Sequence, residues 1–500
     1  MLRPRHSRLI LAATVVLSIT IWSACNNTNA AQAVVALDSG KIPVTTKSED
    51  ARKEFLQGQS LADRLLGQES LQHFDQAIAL DPDFASAEMA RAASSPTTQD
   101  FFDHLKKAVA LSDKVSQGEK LVILAAEAGT NGDSVKQKEY LDQLVAAYPN
   151  DERAHFNLGN YYFGQQDLAE AIEQYKKTTT LAPDFSGAYN ILGYAYRQQG
   201  DYANAEQSFK KYIELIPNDP NPYDSYAELL LKMGRFDDSI VQYRKALSID
   251  PHFVPSHFGV SADLMYTGKP DAAAAELQTM AEQSRNDGEL RTALFGLCVV
   301  AADRGKLDEA LRQIDKEYAV AEKKSDVASM SADLQAKGNI ILETQKYDAA
   351  AQVFERSLQL IESSGLSQEI KDNATLLHHF NLAEVAIGKK DFVAAKMHAD
   401  EFQKGAEASK NPAQVKQSHE LAGRLALSEK DYDKAIAELE LANQQDPRNI
   451  YRMGQAYQGR GDIAKAHELY NQAAEFNSLP QLNYAFIRVK AQKLAGGKQA

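Results

Sequence analysis

Cysteine is nearly absent from this 500-residue chain: Cys25 and Cys298 are the only two. Once Cys25 is acylated or removed with a leader, no intramolecular disulfide can form, so stability has to come from packing. Runs that alternate β-branched with polar residues are also missing, which excludes a sheet protein. An excess of positive charge is missing too. There are 55 Lys and Arg against 68 Asp and Glu, a net charge of −13, and removing Arg3, Arg5 and Arg8 with a leader leaves 52 against 68, or −16. A long phosphate footprint is therefore excluded, and no basic stripe with interleaved aromatics offers itself to single-stranded nucleic acid. An acidic surface suits solubility and the choice of basic partners. Catalytic constellations are wanting as well. His378 and His379 are adjacent, so on a helix they point about 100° apart and form no i, i+4 metal pair. Gly129 and Gly132 before Lys136 lack the spacing of a phosphate loop. Carboxylates abound, yet no pair is marked as acid and base. The chain reads as non-enzymatic, with no catalytic residue, no metal and no cofactor.

What is present is a period. Leu158, Gly159, Tyr162, Ala171, Tyr175 and Pro183 recur 34 residues later as Leu192, Gly193, Tyr196, Ala205, Phe209 and Pro217. A third copy carries Tyr226, Ala227, Leu230, Ser239, Tyr243 and Pro251. Leu158 and Tyr162 are four apart, as are Ala171 and Tyr175, so each pair shares one helix face. Gly159 and Gly193 fall inside these helices, where glycine costs about 1 kcal/mol relative to alanine. Close approach of a neighbouring helix is the compensation expected. Gln198–Asp201 and Met233–Arg235 supply turns between paired helices, because glycine accepts a left-handed backbone. Pro183, Pro217 and Pro251 close each second helix, since proline lacks the donor a helix interior needs.

This period, with its small, aromatic and terminal proline positions, resembles the tetratricopeptide repeat, a helix-turn-helix unit that stacks into a solenoid. The resemblance implies an all-α fold, an α-solenoid wound as a right-handed superhelix. Extending the register finds about twelve copies. The first contains Gly58, Leu61, Ser70, Phe74, Ala77 and Pro82, and a degenerate one near 85–111 is interrupted at Ser94. After Asn286 the spacing loosens to roughly 37 to 45 residues, similar to the longer variety of the repeat. The expected organisation is a leader at 1–24, a flexible tether at 25–48, an array of tight repeats at 49–287, an array of longer repeats at 288–480, and a capping helix and tail at 481–500. The last helix, 482–494, with Lys490, Lys493 and Lys498, reads as a solubilising cap. Cys298 occupies the small-residue position of Gly159 and Gly193, so it reads as a buried small hydrophobe and not a reactive thiol.

The amino terminus reads as an export signal. Arg3, Arg5 and Arg8 precede an apolar run from Leu9 to Trp22, too short for a comfortable bilayer span. Ile21, Trp22, Ser23, Ala24 and Cys25 are similar to a bacterial lipobox, which implies lipidation at Cys25. Asn26 then implies sorting to the outer membrane. An ordinary signal cut after Ala30 or Ala33 is the alternative. The expected location is periplasmic, tethered to the outer membrane.

The resemblance also implies a groove lined by the first helix of each unit. Its contact positions fall here on Arg153, Phe156, Asn160 and Phe163, then on Asn190, Tyr194, Arg197 and Gln198, then on Asn221, Asp224, Glu228 and Leu231. Phe156, Asn190 and Asp224 form one expected row; Asn160, Tyr194 and Glu228 another; Phe163, Arg197 and Leu231 a third. Exposed rings beside side-chain amides would hold an extended peptide, with Asn160 and Asn190 bonding its backbone. The alternative is that Phe156 and Phe163 fill the space between repeats. The family's carboxylate clamp is not expected, because Phe156 stands where its lysine belongs, Ile191 replaces an asparagine, and Asn221 and Ser225 replace a basic pair. The favoured reading is an envelope scaffold that binds protein or peptide segments and supports assembly of a complex. The alternatives are a glycan or cell-wall binder, with Tyr194 and Phe163 as stacking platforms, and an enzyme with a site in the longer repeats.

Overall fold

The structure, a computed structural model, describes residues 40–64, 66–95, 98–409 and 411–496. The described residues contain helices and no strand. They fall into two compact units that divide between Leu229 and Leu230.

In the first unit the helices are α1 (Glu49–Asp63), α2 (Gly67–Leu80), α3 (Ala85–Ala93), α4 (Thr98–Leu111), α5 (Gln117–Thr130), α6 (Ser134–Ala147), α7 (Glu152–Gly164), α8 (Leu168–Leu181), α9 (Ser186–Gln199) and α10 (Tyr202–Leu215). Each packs on the next along the chain, the nearest-neighbour pattern of a solenoid. The division between units falls inside α11 (Pro220–Lys232).

The second unit continues with α12 (Phe236–Ile249), α13 (Val254–Tyr266), α14 (Pro270–Glu282), α15 (Asp287–Asp303), α16 (Leu307–Lys323), α17 (Val327–Glu343), α18 (Tyr347–Glu362), α19 (Gln368–Lys389), α20 (Phe392–Ser409), α21 (Pro412–Glu429), α22 (Tyr432–Leu441), α23 (Pro447–Arg460) and α24 (Ile463–Ala474). From α12 onward successive helices again pack in order. Two short helices, α25 (Leu482–Ala485) and α26 (Arg488–Leu494), end the chain. Helices α1 to α24 thus follow one another as twelve helix-turn-helix pairs among the described residues. The expected α-solenoid class holds, and α15 to α21, which begin where the repeat spacing loosens, are longer, 16 to 22 residues, before α22 to α24 shorten again.

Local chemistry sets these boundaries. Asp133, Asp167, Asp201, Asp431 and Asp462 each cap a second helix by accepting a backbone N–H of its first turn. The turns before them need a left-handed residue, met by Gly200 at φ 87° before Asp201 and Gly461 at φ 99° before Asp462. Within each pair the core contact is a small residue facing a large one sixteen positions later. A Cβ on Gly193 would lie 2.7 Å from the Phe209 ring, and one on Gly159 the same distance from Tyr175. The close approach expected of these glycines is therefore supplied by the aromatic of the partner helix. Cys298 keeps this register, fully buried in one cluster with Ile314, and burial pushes its thiol up, which leaves it inert.

Candidate functional site

In each unit the terminal segment of the described residues folds back onto the repeats. In the first unit, residues 40–48 do not form the flexible tether expected of them but an extended strap. Carboxylates at the starts of α5 and α7 and at the end of α2 hold its backbone. Asp151 Oδ2 accepts the Ile42 N–H at 2.9 Å, Glu119 Oε1 the Thr45 N–H at 2.9 Å, and Asp81 Oδ2 the Lys47 N–H at 2.9 Å. Thr46 Oγ1 donates to Asp81 at 2.6 Å, and Lys41 pairs with Glu152. Ile42 and Val44 point the other way and are buried, Ile42 over Gly118 and Tyr148, where a Cβ on the glycine would collide with it. Alternation of inward apolar and outward polar residues is what an extended chain lying on a surface requires.

Beyond Glu152 an open cleft of ≈ 320 Å³ is lined by Leu56, Asp63, Arg153, Asp184, Phe185 and Ile216, among others. Arg153 builds its floor. The guanidinium takes both oxygens of Asp63, at 3.2 and 2.5 Å, and lies 4.7 Å from the centroid of the Phe185 ring. Burial holds the Asp63 carboxyl above its usual range even though Arg153 pulls the other way. Asp184 stands exposed at the rim.

The structure corrects the exposure expected of the groove strip. Phe156 is buried between Tyr175 and Phe185, with ring centroids 5.8 and 5.0 Å away. Phe163 is buried beside Tyr175. Tyr194 is fully buried edge-on to Phe209, and its hydroxyl donates to Glu228 at 2.9 Å. Asn190 and Asp224 are buried, as is Leu231, which belongs to the second unit. Each buried ring bridges a helix pair or successive repeats, so packing has claimed the positions that the resemblance assigned to a ligand. Only Asn160, Arg197 and Glu228 of the nine keep partial exposure. Asn160 accepts the Tyr175 hydroxyl at 2.8 Å, and Arg197 reaches Glu228 at 2.7 Å. Within the first unit the strip does bring its residues together, but as a cross-repeat network. With Tyr194 and Phe163 inside, neither ring is a stacking platform for a sugar.

In the second unit the expected solubilising cap is instead a plug. The chain breaks between α25 and α26, and both residues at the break, Phe486 and Ile487, turn into a core shared with Val299, Ile340 and Met453. Arg488 grips Asp303 through both oxygens, at 2.7 and 2.5 Å, and both side chains are buried. Its guanidinium also lies 5.3 Å from the Tyr266 ring, which meets Tyr484 at 5.7 Å. Lys232 donates to the Phe476 carbonyl at 2.5 Å. The tail therefore ties the last pair of helices to the first ones of its own unit.

Other sequence candidates resolve simply. His379 Nδ1 lies 3.1 Å from His398 Nδ1, and His378 lies 3.2 Å from Glu355. Among the described residues no group of three or more His, Cys, Asp or Glu side chains could hold a metal ion. The leader and Cys25 lie outside the described residues.

No curated protein matches this chain. Among solved structures it is similar to a tetratricopeptide repeat protein from Parabacteroides merdae, with 17% identity over 52% of this chain and 98% of that one and a TM-score of 0.38. It is also similar to a thermophilic tetratricopeptide repeat protein of Thermus thermophilus, with 20% identity over 43% and 98% of the two chains and a TM-score of 0.29. MamA from Desulfovibrio magneticus gives 16% identity over 33% and 93% and a TM-score of 0.30. Models described as tetratricopeptide repeat match residues 138–184, 158–220, 221–253 and 263–326, which take in the strict period and the first of the longer repeats. Residues 138–253 and 263–326 carry tetratricopeptide repeats.

Proposed function

We propose that this repeat scaffold, whose class serves protein interaction, acts without catalysis in the bacterial envelope, holding segments of protein partners and so supporting assembly of a complex. The strap is the observation that carries the reading. A stretch of the chain itself lies extended on the first unit, its N–H groups taken by carboxylates and its apolar side chains in pockets. Backbone recognition of this kind is indifferent to most of the guest sequence. The cleft next to the strap offers the same means, with Asp184 as a free-standing carboxylate and Phe185 and Ile216 as apolar wall. Asn160, Arg197 and Glu228, partly exposed, are secondary contacts. A photo-crosslinking residue placed at Asp184 should yield discrete protein adducts in cells, whereas one at exposed Val135 should not. Equal adducts at both sites would remove the cleft from the proposal.

The leader motif supports an exported protein held at the outer membrane through lipidated Cys25. No helix among the described residues is long and apolar enough to cross a membrane, and acyl chains supply about 0.8 kcal/mol per buried methylene. Cys25→Ala should move the protein to the soluble envelope fraction. Unchanged membrane fractionation with normal processing would end the anchor proposal.

A further inference from the structure

Beside the plug, the first helices α17, α19, α21 and α23 line a cavity of ≈ 180 Å³. Its charges are unusual. Glu384 on α19 is buried, and its Oε2 faces three guanidiniums: Arg424 in direct contact, Arg448 at 3.7 Å and Arg452 at 3.8 Å. Several of the surrounding charges are already matched. Arg452 holds Glu420 at 2.7 Å, and Lys490 holds Glu343 at 2.9 Å. Asp446 accepts the Arg448 backbone N–H at 2.9 Å and the Asn483 amide at 2.8 Å, and burial holds its carboxyl above the usual range. Arg424 and Arg448 share the Glu384 carboxylate at the cavity wall, and Arg448 also donates to Asn483 Oδ1 at 2.8 Å. Burial, then the neighbouring Arg452 and Arg448, push Arg424 well below its ordinary range. A guanidinium does not give up its proton in proteins, and three of them converge on one carboxylate oxygen, so the cavity wall suits a further anion.

The other carboxylate oxygen narrows the choice. Glu384 Oε1 is buried and has no hydrogen-bond partner, an arrangement that costs free energy until a donor arrives. A bare carboxylate or sulfate would answer the arginines but set lone pair against lone pair at Oε1. An oxyanion that keeps a hydroxyl hydrogen answers both. We infer that this cavity binds a hydrogen-bearing phosphate, its anionic oxygens on Arg424 and Arg448 and its P–OH donating to Glu384.

Calorimetric titration of the full chain with inorganic phosphate in a phosphate-free buffer tests this. Phosphate should bind saturably, with sulfate weaker by about tenfold or more, the effect of one buried acceptor left facing an anion. Arg424→Met should weaken phosphate by at least about tenfold. Glu384→Gln, which keeps the shape of the side chain and adds a donor, should bring sulfate to within about threefold of phosphate, and it tests the selectivity whether or not the arginine variant folds. O-phosphoserine binding as tightly as phosphate at pH 6 would place the group on a phosphorylated partner; weaker binding would assign the site to the free ion. Absence of saturable phosphate binding, or equal binding of sulfate and phosphate by the unaltered chain, would overturn the inference.

Discussion

The strap of the first unit is held by its backbone, whereas the plug of the second is held by its side chains. Residues 40–48 put only Ile42 and Val44 into the core of the first unit, and their backbone hydrogen bonds end on three carboxylates of the repeats. Residues 476–494 sink Tyr484, Phe486 and Ile487 into the core and bring a buried ion pair with them. A segment with few buried side chains opens locally, while one that sinks several large side chains and an ion pair into the core opens only with that core. The difference teaches where each end belongs: the strap is a guest on finished repeats, and the plug completes repeats that are otherwise open.

Breaking the plug should show the largest effect. Arg488→Ala leaves Asp303 buried without its cation, a loss of about 3–5 kcal/mol. Hydrogen exchange should rise through α13, α15 and α26 while the first unit keeps its protection. If exchange rose in α26 alone, the plug would be as peripheral as the strap.

A second change inside the same unit should act in the opposite direction. Asp263 on α13 is fully buried, and burial pushes its carboxyl up to about 8 despite a bond from Ser239. An acid whose folded pKa lies above its unfolded value of about 3.9 stabilises the fold at low pH and loses that contribution as pH climbs through both values, by up to about 1.4 kcal/mol per pH unit. Asp263→Asn should therefore raise stability at pH 7 by on the order of 2–4 kcal/mol and flatten the decline between about pH 4 and 8. A variant no more stable than the parent at pH 7 would show that the carboxyl is ionised and paired in the fold.

The core of the first unit, as distinct from its strap, responds to Gly193. Leucine there improves helix propensity but meets the Phe209 ring, and overpacking of this kind costs roughly 1–3 kcal/mol. Thermal unfolding of Gly193→Leu decides between the two terms; a gain in stability would mean that α9 and α10 pack less tightly than the 2.7 Å approach implies.

The fold was legible in the sequence because Gly193, Phe209 and Pro217 repeat their counterparts Gly159, Tyr175 and Pro183 at a fixed spacing, and each has one physical role. The binding strip was misread for the same reason it was found. Period places Phe156 and Tyr194 on a helix face but does not say whether the next repeat covers that face, and here Phe185 and Glu228 do. The strap left a faint signal, Ile42 and Val44 alternating around Pro43, too short to stand out. Its partners Asp81, Glu119 and Asp151 lie 34 to 109 residues away and converge only once the helices stack. The plug gave still less, since Phe486 and Ile487 interrupt a helical pattern without the glycine or proline that usually marks a break.

The strap itself should yield to the smallest push. Thr45→Val keeps the shape of the side chain but deletes the hydroxyl that donates to Glu119 Oε2 at 2.5 Å and accepts the Ser116 N–H at 3.2 Å. Glu119 retains the Thr45 N–H and the Ser86 hydroxyl, both within 2.9 Å, so no charge is stranded and the cost should be only about 1 kcal/mol. Because the strap is a guest, that cost should fall on local opening and not on global stability. The amides of Ile42, Thr45 and Lys47 should exchange about fivefold faster, the equivalent of that free energy when opening is a fast pre-equilibrium before exchange. Amides in α5 and α7 should be unchanged. Faster exchange in α5 and α7 as well would mean that the strap holds the repeats together, and the contrast with the plug would disappear.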